Sequence, residues 1–223
     1  VTLEQVAFDI ETTGFGVDDE VTTVGFAVPL GVRVFVQTRG RAAPNVEAAV
    51  RDRVETHVQV STHESERKLF KAVGSFTADR LADDDVMLVG FNAELWKLGF
   101  DLPFLRTRLA QADVEWPFRN VPYADLLPVV TNRFNTTIEA GESRSDLAGV
   151  YKMLCDGQYN ELDPFAESSE AVVAFEDGRF TDLVVHNVAD ILRTKQLGRL
   201  SERYCSKSDF KLKSLTATTQ EYE

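Results

Sequence analysis

Phe8-Asp9-Ile10-Glu11-Thr12-Thr13-Gly14 ends the first apolar run of the chain, and the reading of the rest turns on it. Val6 to Ile10 is short and mostly apolar, the pattern of a buried strand. Side chains two apart on a strand point the same way, so Asp9 and Glu11 project from one face. Adjacent carboxylates repel each other, and a divalent cation is the simplest way to keep both ionised. The plain alternative is an exposed strand carrying two solvated acids. Against it, the acids flank Ile10 at the end of an otherwise buried strand, where unpaired charge is expensive.

Working outward, Val21–Val28 and Val32–Gln37 are rich in Val, Phe and Thr and read as two further strands. Gly14 and Gly16 supply the first turn, and Pro29 with Gly31 the second, so the chain opens on a three-strand meander. Residues 41–62 read as a loop or excursion. Glu64 to Ala82 has helical spacing and is ended by Asp83-Asp84-Asp85, after which Val86–Gly90 is a buried-type strand. Leu102–Ala112 reads as a helix, Val121–Leu127 as another strand, and Leu147–Cys155 as a helix closed by Gly157. Glu161–Glu167 is expected to be a loop, and Ser168–Ala174 and Phe180–Tyr204 helical. A meander followed by alternating strands and helices predicts an α/β domain with a mixed central sheet flanked by helices. One domain is expected over residues 1–205, and the polar, weakly periodic stretch 206–223 is expected to be a mobile tail or linker stub.

Two further segments carry chemistry-bearing residues. In Gly99-Phe100-Asp101-Leu102-Pro103, Asp101 falls near the start of a helix, where an aspartate also serves as a simple cap. Gly90-Phe91-Asn92 ends the preceding strand, so Asn92 can overhang the same end of the sheet. In His186-Asn187-Val188-Ala189-Asp190, His186 and Asp190 stack one turn apart. They lie nearly opposite the apolar stripe of Phe180, Val184, Val188, Ile191 and Leu192, while Leu183 and Leu197 imply that the second face is also partly covered. By itself such a His–Asp pair reads as a surface contact.

Composition sets the outer bounds. The chain has 223 residues and a formal charge of −12, with 36 acids against 24 Lys and Arg, and 16 of those cations are Arg. That balance fits either plain solubility or a salt-adapted, halophilic protein, and at face value it speaks against a polyanionic partner. The longest uncharged run, Val21 to Val32, is twelve residues, too short for a membrane-spanning helix. With strand-like sequence from the start and no secretory pattern, a cytoplasmic protein is expected. Cys155 and Cys205 are too few for a disulfide framework or a cysteine zinc site. Gly14-Phe15-Gly16 is not followed by the Gly-Lys-Ser/Thr of a phosphate loop, and no Gly-x-Ser-x-Gly elbow is present. His57, His63 and Glu64 sit together in a polar stretch and read as loop residues rather than a metal cluster.

Taken together, the three segments resemble something specific. Phe8-Asp9-Ile10-Glu11-Thr12 matches the first motif of the DEDD superfamily of 3′–5′ exonucleases, spelled most like the proofreading domains of family B DNA polymerases and their stand-alone relatives. Asn92 with Phe100-Asp101 resembles the second motif, and Asp190 preceded by a ring residue the third. Asn92 and Asp101 are nine apart, wider than usual in the family, which implies a short insertion around Glu94-Leu95-Trp96-Lys97. The third motif has Tyr four before the Asp in one branch and His five before it in another. Here His186 stands four before Asp190.

The resemblance implies a ribonuclease H-like fold and two divalent cations, Mg²⁺ or Mn²⁺, held by Asp9, Glu11, Asp101 and Asp190. The implied reaction hydrolyses the terminal phosphodiester of a single-stranded nucleic-acid 3′ end, DNA being favoured over RNA, to a nucleoside 5′-monophosphate. His186 would orient or deprotonate the attacking water, its imidazole titrating near the usual value of about 6.5. Thr12, Asn92 and Phe100 would line the nucleotide. A polymerase or DNA-repair partner is also implied. The rival reading from another class is a non-catalytic nucleic-acid-binding or polymerase-associated scaffold domain on the same fold.

Overall fold

In the computed structural model, residues 3–82, 85–94 and 99–215 are described. The chain opens with β1 (Glu4–Thr12), β2 (Val21–Val28) and β3 (Gly31–Gln37), an antiparallel meander as expected. The stretch expected as a loop instead carries α1 (Val46–Arg51) and β4 (Val58–His63), which pairs parallel with β3 from Val32↔Val58 to Gln37↔His63. It escaped the sequence reading because α1 is under two turns long and β4 is a polar edge strand, mostly half-exposed. Both its periodicity and its apolar content are weak.

Next come α2 (Glu66–Arg80), β5 (Val86–Gly90) and α3 (Asp101–Ala112). The acidic stop at 83–85 and the insertion at 94–97 fall largely outside the described residues. The expected strand at 121–127 is half strand and half helix. β6 (Pro122–Asp125) yields directly to α4 (Leu126–Arg133), whose first turn is capped by Asp125 accepting from Leu127 N–H at 3.1 Å. Pro128 is tolerated in that first turn, and the continuous apolar run does not by itself distinguish strand from buried helix.

Beyond lie α5 (Leu147–Leu154), α6 (Gln158–Leu162), α7 (Ser169–Glu176) and α8 (Phe180–Tyr204). Gly157 does not close α5. At φ 81° it opens α6, which takes the place of the first part of the expected loop at 161–167. The segment expected as a tail contributes a 3-10 turn (Lys207–Phe210) and β7 (Lys213–Ser214), with Phe210 and Leu215 buried.

The sheet order is β4-β3-β2-β1-β5-β6-β7. β1, β5 and β6 run parallel, β2 is antiparallel to both neighbours, and β7 is antiparallel to β6. Two apolar layers flank it. Ala7, Val34, Val36 and Val89 pack with Val184, Val188 and Ile191 of α8, while Val6, Phe8, Ile10 and Phe26 pack with Leu69 and Phe70 of α2 and Leu105 of α3. A mixed α/β sheet flanked by helices is thus the architecture. Among the described residues no helix is long and apolar enough to cross a membrane.

Candidate active site

The alternation of β1 decides what faces the site. Val6, Phe8 and Ile10 enter the layer under α2 and α3, so Ala7, Asp9 and Glu11 point to the α8 side. Asp9 pairs across the sheet with Gly25 of β2. A Cβ at Gly25 would lie 2.2 Å from both Asn187 Oδ1 and Ile191 Cδ1, so this glycine lets α8 approach closely. That approach brings Asn187 Nδ2 to Asp9 Oδ2 at 2.8 Å.

One residue earlier on α8, His186 Nε2 lies 3.7 Å from Glu11 Oε1 and 3.8 Å from Asp190 Oδ2. A ligating atom from each of Glu11, His186 and Asp190 falls within 4.8 Å of the other two. Asp9 and Asp101 stand outside this tight group but are coupled to it by charge. Asp101 is the first residue of α3, and the cap position before it is Phe100, so Asp101 is not the capping aspartate of the simpler reading.

The electrostatics of the cluster follow from burial. Desolvation, followed by the charges of Glu11, Asp101 and Asp190, holds the Asp9 carboxyl well above its ordinary range. Asp101 is raised in the same way by burial and by Glu11, Asp125 and Asp190. Glu11 is pushed up to about 7 by burial and Asp190, against the pull of His186 and a hydrogen bond from Asn187. For His186, burial favours the neutral ring but is outweighed by Glu11, by the hydrogen bond to Asp163 and by Asp190, so the imidazolium persists to about 10. This corrects the expectation of an imidazole poised near 6.5. The residue is 4% exposed rather than a surface contact, because α5, α6 and α7 cover the second face of α8.

Three residues that the sequence did not single out complete the site. Asp163, after α6, accepts from His186 Nδ1 at 2.8 Å and from Arg193 Nη1 at 2.8 Å. Burial raises its carboxyl, but His186 and Arg193 outweigh that and hold it below the usual range. Arg193, 3% exposed, also pairs with Asp190 and donates from Nη2 to Tyr159 O at 3.1 Å. Phe15, 86% exposed, meets Phe100 edge-on at 5.0 Å beside Asp101. Only Phe15, an aromatic between the two turn glycines, carried a signal in the sequence. Asp163 and Arg193 reach the site through folding.

The remaining expected residues sit differently. Thr12 turns its hydroxyl onto Gly14 O at 2.8 Å, bracing the loop after β1. Asn92 takes the left-handed conformation (φ 58°) and donates its backbone N–H to Asp125 Oδ1 at 2.8 Å. Asp125 also receives Glu94 N–H at 3.3 Å, so this carboxylate braces the loop leading to α3. His57 lies outside the acid cluster beside β4, and His63 is engaged with Ser61 at 2.9 Å.

The donor set suits a hard divalent cation. Buried oxygen ligands that repel one another without a countercharge are what Mg²⁺ or Mn²⁺ binds, and no thiolate is present to favour a softer metal. No family model and no curated protein sequence matches this chain, so its function is read from fold and side-chain geometry.

Proposed function

We propose that the protein is a metal-dependent 3′–5′ exonuclease acting on single-stranded nucleic acid, DNA being the favoured polymer. The observation that carries the reading is the convergence of Asp9 and Glu11 from β1, Asp101 from α3 and Asp190 from α8 into one mutually repelling cluster. The strand order β3-β2-β1-β5-β6, with β2 antiparallel, supports a ribonuclease H-like fold as the finer description. Both agree with the DEDD resemblance of the three sequence segments.

In this reading Asp9, Glu11, Asp101 and Asp190 hold two divalent cations, Mg²⁺ or Mn²⁺. Once bound, the cations supply the Lewis acidity that activates water and stabilises charge on the scissile phosphate. His186 turns Nε2 toward Glu11 and Asp190, where it faces the water or phosphate and can orient it; in the cation-free protein those two acids and Asp163 hold the ring protonated. Asp163 fixes the ring from the other side. The exposed Phe15 against Phe100 offers an aromatic surface for a base, sequence-tolerant as single strands require.

One observation favours the rival, a non-catalytic binding module: Arg193 already places a cation on Asp190. Incubating 5′-labelled single strands with Mn²⁺ decides between them. Stepwise shortening from the 3′ end that vanishes in Asp9→Ala and Asp101→Ala supports the enzyme. No shortening, or shortening undiminished in Asp9→Ala, rejects it.

A further inference from the structure

The net charge of −12 conceals a local reversal. Residues 193–213 hold seven of the 24 cationic side chains and two of the 36 acids. Five of the cations recur every fourth residue: Lys195, Arg199, Arg203, Lys207 and Lys211. The first three lie on α8, where residues four apart share a face and are spaced about 6 Å along the axis. Lys207 opens the 3-10 turn, and Lys211 follows it at φ 46°. All are exposed except Lys195, which is half-buried and donates to Val28 O at 3.2 Å.

Among the described residues Arg199 and Arg203 make no ion pair, and Arg203 lies over the exposed Tyr204 ring at 5.5 Å. Burial and the neighbouring Arg199 both push the Lys195 ammonium below its ordinary range, against a partial offset from Glu4. Arg199, Arg203 and Lys207 edge a recess of about 470 Å³ floored by Leu3, Met87 and Phe210. Glu202 lines it too, and a smaller recess beside Lys195 adds Glu4. Like charges one turn apart destabilise a helix, so Arg199 and Arg203, one turn apart and exposed in an acid-rich chain, are suited to an anionic partner.

We infer that Lys195, Arg199, Arg203, Lys207 and Lys211 form a track for the phosphate backbone of a nucleic-acid strand, separate from the acid cluster. A line of evenly spaced cations matches a polymer of evenly spaced anions, whereas an acidic protein segment would anchor mainly in the apolar recess, which spans only part of the row. From Asp190 to Arg203 the helix advances about 20 Å. At about 100° per residue the row also lies on the opposite flank of α8 from His186 and Asp190. The track therefore holds nucleic acid well away from the 3′ terminus. The choice of a nucleic-acid partner rests on the exonuclease reading, while the binding itself is independent of catalysis.

The test uses full-length Asp101→Asn protein in chelator and a 5′-fluorescein single strand of about twenty nucleotides, followed by anisotropy across a salt series. Arg199→Gln/Arg203→Gln/Lys207→Gln should flatten the dependence of log K on log salt by about 2, since each lost phosphate contact removes about 0.7 for single strands. Arg203→Gln alone, at an exposed position, should remove about 0.7. A triple variant on α2, Arg67→Gln/Lys71→Gln/Arg80→Gln, makes the same charge change and should leave the slope intact. An unaltered slope in the track variants, or an equal fall in the α2 control, overturns the inference. Displacement of the strand by poly-glutamate at matched charge also overturns it, in favour of an acidic protein partner. Track-dependent binding by a protein that shortens no strand in Mn²⁺ rejects the exonuclease reading alone; shortening without track-dependent binding rejects the track alone.

Discussion

Replacing Glu11 by Gln should make the cation-free protein more stable while abolishing the proposed nuclease activity. Glu11 is 11% exposed and its carboxyl is raised from 4.5 to about 7. A raised folded value means that native protein holds this proton more tightly than unfolded chain does. The associated stability is complete below pH 4.5 and is lost as the pH rises through about 7. At pH 8 ionised Glu11 therefore costs on the order of 3 kcal/mol, at about 1.4 kcal/mol per pH unit of displacement. Gln keeps the shape and cannot ionise, so Glu11→Gln in chelator at pH 8 should gain about 3 kcal/mol, roughly 6–12 °C in unfolding midpoint for a chain of this size. Urea unfolding at a series of pH values reads the effect directly. The gap should close as the pH falls toward 4.5, and Mn²⁺ should stabilise the wild type but not the variant. A variant no more stable than wild type at pH 8, or a gap independent of pH, would refute the view that desolvated like charge dominates this cluster.

Three further outcomes follow from the same geometry. In chelator, NMR of the His186 ring should show it protonated until about pH 10, its stabilising charge fully present below 6.5 and lost only as the pH climbs through that higher value; a midpoint near 6.5 contradicts the reading. Asp163→Ala should lower kcat about 10–100-fold with KM little changed, and the same change made in His186→Ala should cost nothing more, because Asp163 acts through the ring; additive losses in the double-mutant cycle would make its role merely structural. Gly25→Ala should destabilise by about 1–3 kcal/mol through overpacking against Asn187 and Ile191, and equal chemical-denaturation midpoints would show that α8 is not seated by that contact.

The acidity of the chain takes on a different meaning once the fold is known. Composition argued against a polyanionic partner, yet composition averages over a surface, and binding depends on where charge sits. Three acids, Asp9, Glu11 and Asp101, are partly buried in the candidate site. Around the end of α8 the charge balance is locally positive. An acidic total and a nucleic-acid-binding surface are therefore compatible in one molecule.

The sequence alone determined the opening meander, the limits of α8 at Phe180 and Tyr204, and the pairing of Asp9 with Glu11 on one face. Those features are written in local periodicity, with two residues per repeat in a strand and 3.6 in a helix. It misread residues 41–62 and the end of the run 121–127, where elements are short or continuously apolar and periodicity carries little information. Only the tertiary structure decided that His186 is held by Asp163, twenty-three residues away, and that Arg193 reaches both Asp163 and Asp190. Protonation at such a site is set by desolvation and by charges from distant segments, a sum that exists only once helices α5 to α8 have closed over the end of the sheet.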